Sequence, residues 1–267
     1  MKKIIIPVLT VTLIMICFSC EKSQDPAGER GIAIVPSVST PNPGFFINGD
    51  EDSYIGFDVD LEGVTQPDKT EIVVSHGTNF ERVKIADVST FPSTFTFTLG
   101  SILDAIGIGL SEIYAGDIIY VEVETTLDTK VTRSSASLAI PVVCAFDPAL
   151  AIGEYRAVSA SWEVDGPVTL TADPADPYKI YISGLAELDG VVEDMGPFVM
   201  QIDPATLRVT GAKQVLASEC EPYHNFAYEI TSPGSFNTCD GKYSMYFGIT
   251  VTEGSWGGPW AFTLTRK

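Results

Sequence analysis

The chain has 267 residues, a formal net charge of -19 and a hydrophobic fraction of 45%. That charge excludes nucleic acid as a partner, because such binding rests on Lys and Arg neutralising phosphates, and it disfavours electrostatic attachment to anionic headgroups. The length suits about two domains, and the acidic surface suits a secreted protein kept soluble by its charge.

Met1-Lys2-Lys3 opens the chain, an apolar run covers residues 4–18, and Ser19 and Cys20 follow. A positive start, an apolar stretch and a small residue before a cut make a secretory signal. About 15 apolar residues reach roughly 22 Å as a helix, short of a hydrocarbon core of about 30 Å. The residues Cys17-Phe18-Ser19-Cys20 resemble a bacterial lipobox. Ser19 is the small residue wanted before the cut, while Cys17 and Phe18 depart from the aliphatic and small residues usual there. The resemblance implies that residues 1–19 are a lipoprotein signal peptide and that Cys20 becomes the lipid-modified N-terminus. Several acyl chains anchor a protein stably where one does not. Residues 20–44 read as a flexible tether and linker, polar at first and then rich in Pro.

From Phe45 onward the signals are β. In residues 53–61, Ile55, Phe57, Val59 and Leu61 alternate with Gly56, Asp58 and Asp60, the period of a half-buried strand. Residues 71–76, 81–85 and 94–99 are further β-branched and aromatic runs. Residues 101–106 break the alternation and predict a short helix capped by Ser101, with Asp104 in its first turn, ended by Gly107 and Gly109. Strands follow over 117–126 and 131–140. About seven strands over residues 45–141 suit an immunoglobulin-like or fibronectin-like β-sandwich.

Residues 141–148 mark a boundary, and residues 142–267 are also β. One strand covers 154–162. Two hairpins follow, 168–172 with 178–182 and 198–202 with 207–210, each with Pro and Asp in the turn. Residues 227–230, 243–252 and 260–265 complete the set. Strands joined by short turns predict an antiparallel up-and-down meander, closed or nearly closed into a lipocalin-like β-barrel. The whole is expected to be all-β.

A meander constrains the cysteines. Cys17 leaves with the signal and Cys20 is acylated, so Cys144, Cys220 and Cys239 remain for an oxidising compartment, enough for one bridge and a spare thiol. Alternate strands run in opposite directions, so the start of the first strand and the start of the penultimate strand share an end. Cys144 and Cys239 hold those positions. Cys220 lies beyond the far end. The expected bridge is Cys144–Cys239, with Cys220–Cys239 as the alternative.

The run Phe91-Pro-Ser-Thr-Phe-Thr-Phe, then Leu103-Asp-Ala-Ile-Gly-Ile108 and Gly116-Asp-Ile-Ile-Tyr-Val-Glu-Val-Glu124, resembles the immunoglobulin-like domain of Bacteroidetes surface lipoproteins. Cys144 with Gly153-Glu-Tyr155, Cys239-Asp-Gly-Lys and residues 260–267 resemble the β domain often joined to it. Glu21 and Asp25 fit the acidic residues that often follow the acylated Cys in lipoproteins on the outer face of the outer membrane. The resemblance implies a lipid-anchored outer-membrane protein at the cell surface, with the periplasmic face as the alternative. It implies an accessory of starch-utilisation-type uptake systems, binding polysaccharide or oligosaccharide beside an outer-membrane transporter complex.

The catalytic inventory is thin, and no enzyme, metal or cofactor is expected. There are two histidines, His76 and His224, and His76 reads as a turn residue before Gly77. Glycosidases need paired carboxylates, but Glu122 with Glu124, and Asp58 with Asp60, alternate with apolar residues as the solvated face of a strand does. Asn48-Gly-Asp-Glu-Asp52 spaces oxygens like a calcium loop but lacks the later Gly and Glu. Aromatics are the best binding clue. Trp256 lies in a Gly-rich turn, Trp260 just after it and Tyr223 in another connection, so these three are the candidate ligand-binding residues, with Trp256 otherwise a plug for an open barrel end. The alternatives to a glycan binder are a structural or adhesive envelope module and a lipocalin-like small-ligand carrier.

Overall fold

The computed structural model describes residues 34–63, 66–77, 79–133 and 137–267. Residues 1–33, on which the expected export signal, the expected acylation site Cys20 and the first part of the expected tether fall, lie outside the described residues. Among the described residues no helix is long and apolar enough to cross a membrane.

The N-terminal half is built from β1 (Ser37–Val38), β2 (Phe46–Ile47), β3 (Tyr54–Asp60), β4 (Lys69–His76), β5 (Asn79–Asp87), β6 (Ser93–Thr98), helix α1 (Leu99–Ile106), β7 (Ile118–Leu127), β8 (Lys130–Arg133) and β9 (Leu138–Val143). One sheet has the order β1-β3-β6 and the other β2-β9-β7-β4-β5, with β8 paired to β7. Among the described residues every pairing is antiparallel except β2 with β9. The connections β3 to β4, β5 to β6 and β6 to β7 each change sheet, so neither sheet is a simple meander. Both sheets bury one face against a shared core. Ile55, Phe57 and Val59 of β3 meet Ile119, Val121 and Val123 of β7 there, and the outward Asp58 and Asp60 stay exposed. Period-two alternation thus drives this sandwich, since only one face of each strand leaves water.

Helix α1 starts earlier than Ser101. Thr98 is its N-cap, extended at φ -84 and ψ 156, and its side chain accepts the Ser101 N–H. Ser101 instead donates its hydroxyl to the Thr98 carbonyl at 2.8 Å. The apolar spacing explains the shift: Leu99, Ile102 and Leu103 are buried on one face, and burying Leu99 requires the helix to begin there. Gly107, left-handed at φ 72, ends it. The strand expected over 131–140 is two strands, β8 and β9, with 134–136 between them outside the described residues.

The C-terminal half follows helix α2 (Pro148–Ala151) with β10 (Gly153–Ser159), β11 (Val164–Asp173), β12 (Asp176–Ser183), β13 (Phe198–Ile202), β14 (Arg208–Thr210), β15 (Gln214–Cys220), β16 (Tyr223–Asn237), β17 (Lys242–Val251), β18 (Gly254–Ser255) and β19 (Trp260–Arg266). All pairings are antiparallel, and β19 pairs with both β17 and β10, closing a barrel of eight strands. Strands β14 and β15 act as one interrupted strand. β14 pairs with the later part of β16 at Gly234 and Ser235, and β15 with its earlier part from Tyr223 to Tyr228. The break falls at Gly211, where a Cβ would lie 2.6 Å from the Phe198 ring. Beyond it the Gln214 side-chain amide takes the place of a strand, accepting the Val199 N–H at 2.9 Å and donating to the Val199 carbonyl at 2.8 Å.

Eight strands enclose just enough room for side chains, and here side chains fill it. Phe198, Tyr228, Phe247 and Phe262 are almost fully buried, with Phe247 meeting the other three edge-on at 5.1 to 5.4 Å between ring centroids. One barrel end is closed by α2. The Tyr243 hydroxyl donates to Ala151 O at 2.8 Å, and the Tyr155 hydroxyl sits between the carbonyls of Leu150 and Gly241, 3.0 Å from the latter. Burial raises the Tyr155 phenol to about 12, as expected where the charged form would lose water. Cys144 and Cys239 are bridged at this end, their Cα atoms 5.1 Å apart, within reach of a disulfide. Cys220 is free.

The sandwich abuts the same end. Gly44 N–H donates to Ala205 O at 2.9 Å. Phe46 is fully buried in the sandwich core while its neighbour Phe45 packs on the barrel core. Consecutive side chains of an extended segment point to opposite sides, so one dipeptide serves both cores.

Candidate functional site at the open end of the barrel

The opposite end is formed by the connections β10–β11, β12–β13, β15–β16 and β17–β19. It collects every tryptophan of the chain. Trp162 lies 5.2 Å from Trp260 and 6.1 Å from Trp256, centroid to centroid. Trp256 meets Tyr223 at 5.5 Å and Phe226 at 5.7 Å, both edge-on. The candidate residues Trp256, Trp260 and Tyr223 thus share one cluster, with Trp162 joining the two tryptophans. All three indoles are half-buried and pack on the barrel core, while Tyr223 is exposed. Ring planes are inclined by 46 to 89 degrees, so the cluster is a rough-walled cap rather than a flat platform.

A carboxylate lies beneath it. Asp189 ends a 3-10 turn, Ala186–Asp189, closed by Gly190 at φ 73. Its Oδ1 accepts the Trp162 indole N–H at 2.7 Å and its Oδ2 accepts the Tyr228 hydroxyl at 2.6 Å. Burial holds the Asp189 carboxyl above its ordinary value, against the lowering effect of the Tyr228 and Trp162 donors. Burial and the Asp189 charge together push the Tyr228 phenol far up, so near neutrality it stays protonated and keeps donating to Asp189. Glu193 accepts the Gly184 and Ala186 N–H groups at 3.1 and 3.3 Å, and burial raises it as well. Asp189, Asp194, Glu219 and Cys220 line an adjoining cleft of about 440 Å³. Burial, then the Asp189 charge, pushes the Cys220 thiol up, which disfavours the reactive thiolate.

The connection between β17 and β19 is fastened to β16. The His224 N–H donates to Glu253 Oε2 at 3.0 Å and its Nδ1 lies 2.6 Å from Glu253 Oε1. Thr252 N–H returns to His224 O at 2.8 Å. The Glu253 bond raises the histidine, with the Glu219 charge adding to it, and His224 lowers Glu253 in turn.

The other sequence candidates fall elsewhere. Glu122 receives Arg82 Nε at 2.6 Å and Glu124 receives Arg133 Nε at 2.8 Å; both pairs lie on the outer face of the sandwich. Asp58 accepts the Thr94 hydroxyl at 2.6 Å. In the acidic turn, Asp50 accepts the Asp52 N–H at 3.1 Å. His76 is the last residue of β4, its Nε2 3.5 Å from Asp117 Oδ2. Sequence reasoning passed over Trp162, taken as a strand end, and Asp189 and Glu193. The one local signal for Asp189 is the glycine that follows it, a helix-stop residue. The chain matches no protein-family model, no curated protein and no solved structure.

Proposed function

We propose that this is a non-enzymatic cell-envelope lipoprotein, held at the outer membrane through an acylated Cys20, whose open barrel end binds a glycan or assists its uptake beside an outer-membrane transporter. The observation that carries the reading is the half-exposed Trp/Tyr cluster resting on a hydrogen-bonded carboxylate. Aromatic faces suit the apolar faces of pyranose rings, and carboxylates accept sugar hydroxyls. The end nearest the sandwich is closed, which leaves the aromatic end for a ligand. The test is a glycan array with the signal-free protein, repeated with Trp256→Ala and Tyr223→Ala. Binding lost in either variant supports the reading; binding to no probe sinks it. For the anchor, mass spectrometry of the mature N-terminus should find lipid on Cys20, and Cys20→Ala should release the protein from membranes.

A second reading is a structural or adhesive module. Val192 is 77% exposed and Met195 58%, and both lie beside the aromatic end, where a protein partner would cover them. The barrel fold is also compatible with a lipocalin-like carrier, although the filled interior leaves the rim rather than the centre for a small ligand.

A further inference from the structure

Charge around the open end is one-sided. The connecting segments 159–164, 184–197, 214–225 and 251–260 contain no Lys or Arg. They carry Glu163, Glu187, Asp189, Glu193, Asp194, Glu219, Glu221 and Glu253, and His224 is the one side chain among them that can turn positive. That histidine is already engaged by Glu253 at 2.6 Å and by Glu219 at 3.5 Å. Asp189 is held by two neutral donors, Trp162 and Tyr228, and Glu193 by two backbone N–H groups. Among the described residues neither carboxylate is paired with a cationic side chain beside the aromatic rings. The basic residues of the barrel lie elsewhere, Arg208, Lys242 and Arg266 among them at or near the closed end.

Carboxylates accept hydrogen bonds and cannot donate them. A ligand settling on this end must bring donors, hydroxyl or ammonium groups. A ligand bearing carboxylate or sulfate would bring further acceptors into a field of like sign, focused by the low-dielectric aromatic wall. An ammonium group would gain twice, from the carboxylates and from the face of an exposed aromatic ring.

We infer that the open end selects neutral or amino-bearing glycans and rejects uronate-rich and sulfated ones. The inference rests on the reading of this end as a glycan site and adds the ligand's charge class to it. The discriminating feature is the pairing of the Trp162–Trp256–Tyr223 cluster with a carboxylate rim whose segments contain no Lys or Arg and a single histidine.

The experiment is an array of neutral, amino-bearing, uronate and sulfated oligosaccharides probed at low salt, with titrations on the best probe of each class. Neutral or amino-bearing probes should bind about tenfold or more tightly than anionic ones, in line with the effect of a focused field on ligand concentration. Raising ionic strength should narrow that ratio. The double substitution Glu219→Gln with Glu221→Gln, at the solvent rim, should narrow it too. An anionic probe bound as tightly as the best neutral one overturns the inference while leaving the glycan reading intact. A ratio unmoved by both salt and the double substitution also overturns it. Binding of no probe in any class overturns the reading and the inference together.

Discussion

The indole N–H of Trp162 donates to Asp189 Oδ1 at 2.7 Å, across 27 residues of sequence. The same carboxylate accepts from the buried Tyr228. Asp189→Ala leaves both donors without their acceptor, which should cost about 1–3 kcal/mol, read as a lower midpoint in urea. Asp189→Asn keeps one acceptor oxygen and should cost less. The acid limb gives a second check. Burial raises the folded-state carboxyl above its ordinary 3.8, so the folded protein binds that proton first. This group therefore adds stability as pH falls through its folded value, a rise that Asp189→Asn should remove.

The disulfide should dominate the barrel's resistance to unfolding. Cys144 and Cys239 enclose 95 residues of separation, and closing so long a loop stabilises by up to about 4–5 kcal/mol in the chain-entropy view. Reduction, or Cys144→Ser with Cys239→Ser, should lower the denaturation midpoint strongly. Reductant should then have no further effect on the double variant. An unchanged midpoint would show that the bridge contributes nothing.

The clasp of His224 on Glu253 sets a pH window. The histidine is raised above 6.5 and the glutamate lowered below 4.5. The histidine's contribution is complete below 6.5 and fades as pH rises through its folded value. The glutamate's is complete above 4.5 and fades as pH falls through its own. The clasp is therefore fully formed between about 4.5 and 6.5. Because all three tryptophans lie at this end, intrinsic fluorescence followed from pH 5 to pH 9 reports on it. His224→Gln should flatten any change seen above 6.5.

Gly241 sits at φ +72 where a Cβ would collide with the Leu150 carbonyl. Gly241→Ala thus meets left-handed strain and a backbone clash together, and should destabilise by about 2 kcal/mol or more. Thermal unfolding of the variant checks it. Gly49, also left-handed at φ +79 but with open space around it, is the control, where Ala should cost only the backbone term of about 1–2 kcal/mol.

Local rules were enough for most of the strands. Ile55, Phe57 and Val59 alternate because one face of β3 is buried, and that pattern is legible without knowing what covers it. Strand β15 was not legible. Its pairing with β16 slips between Val215 and Ala217, which breaks the period of two that reveals strands. The start of α1 at Leu99 was misread for the converse reason, since Thr98 serves both as the end of a strand and as a cap.

The sequence by itself determined the all-β character and the meander of the second half, and it favoured Cys144–Cys239 over Cys220–Cys239, a choice the structure settled. These readings follow from periodicity and from the parity of antiparallel strands, which needs no coordinates. It also pointed to Trp256, Trp260 and Tyr223 as aromatics in turns. Only the tertiary structure decided what surrounds them. Trp162 and Asp189 reach the same end from separate connections because barrel closure brings those connections together. No spacing along the chain encodes that meeting. The packed interior is likewise a property of closure, since the width of an eight-stranded barrel, and not any single strand, leaves Phe198, Phe247 and Phe262 to fill the middle.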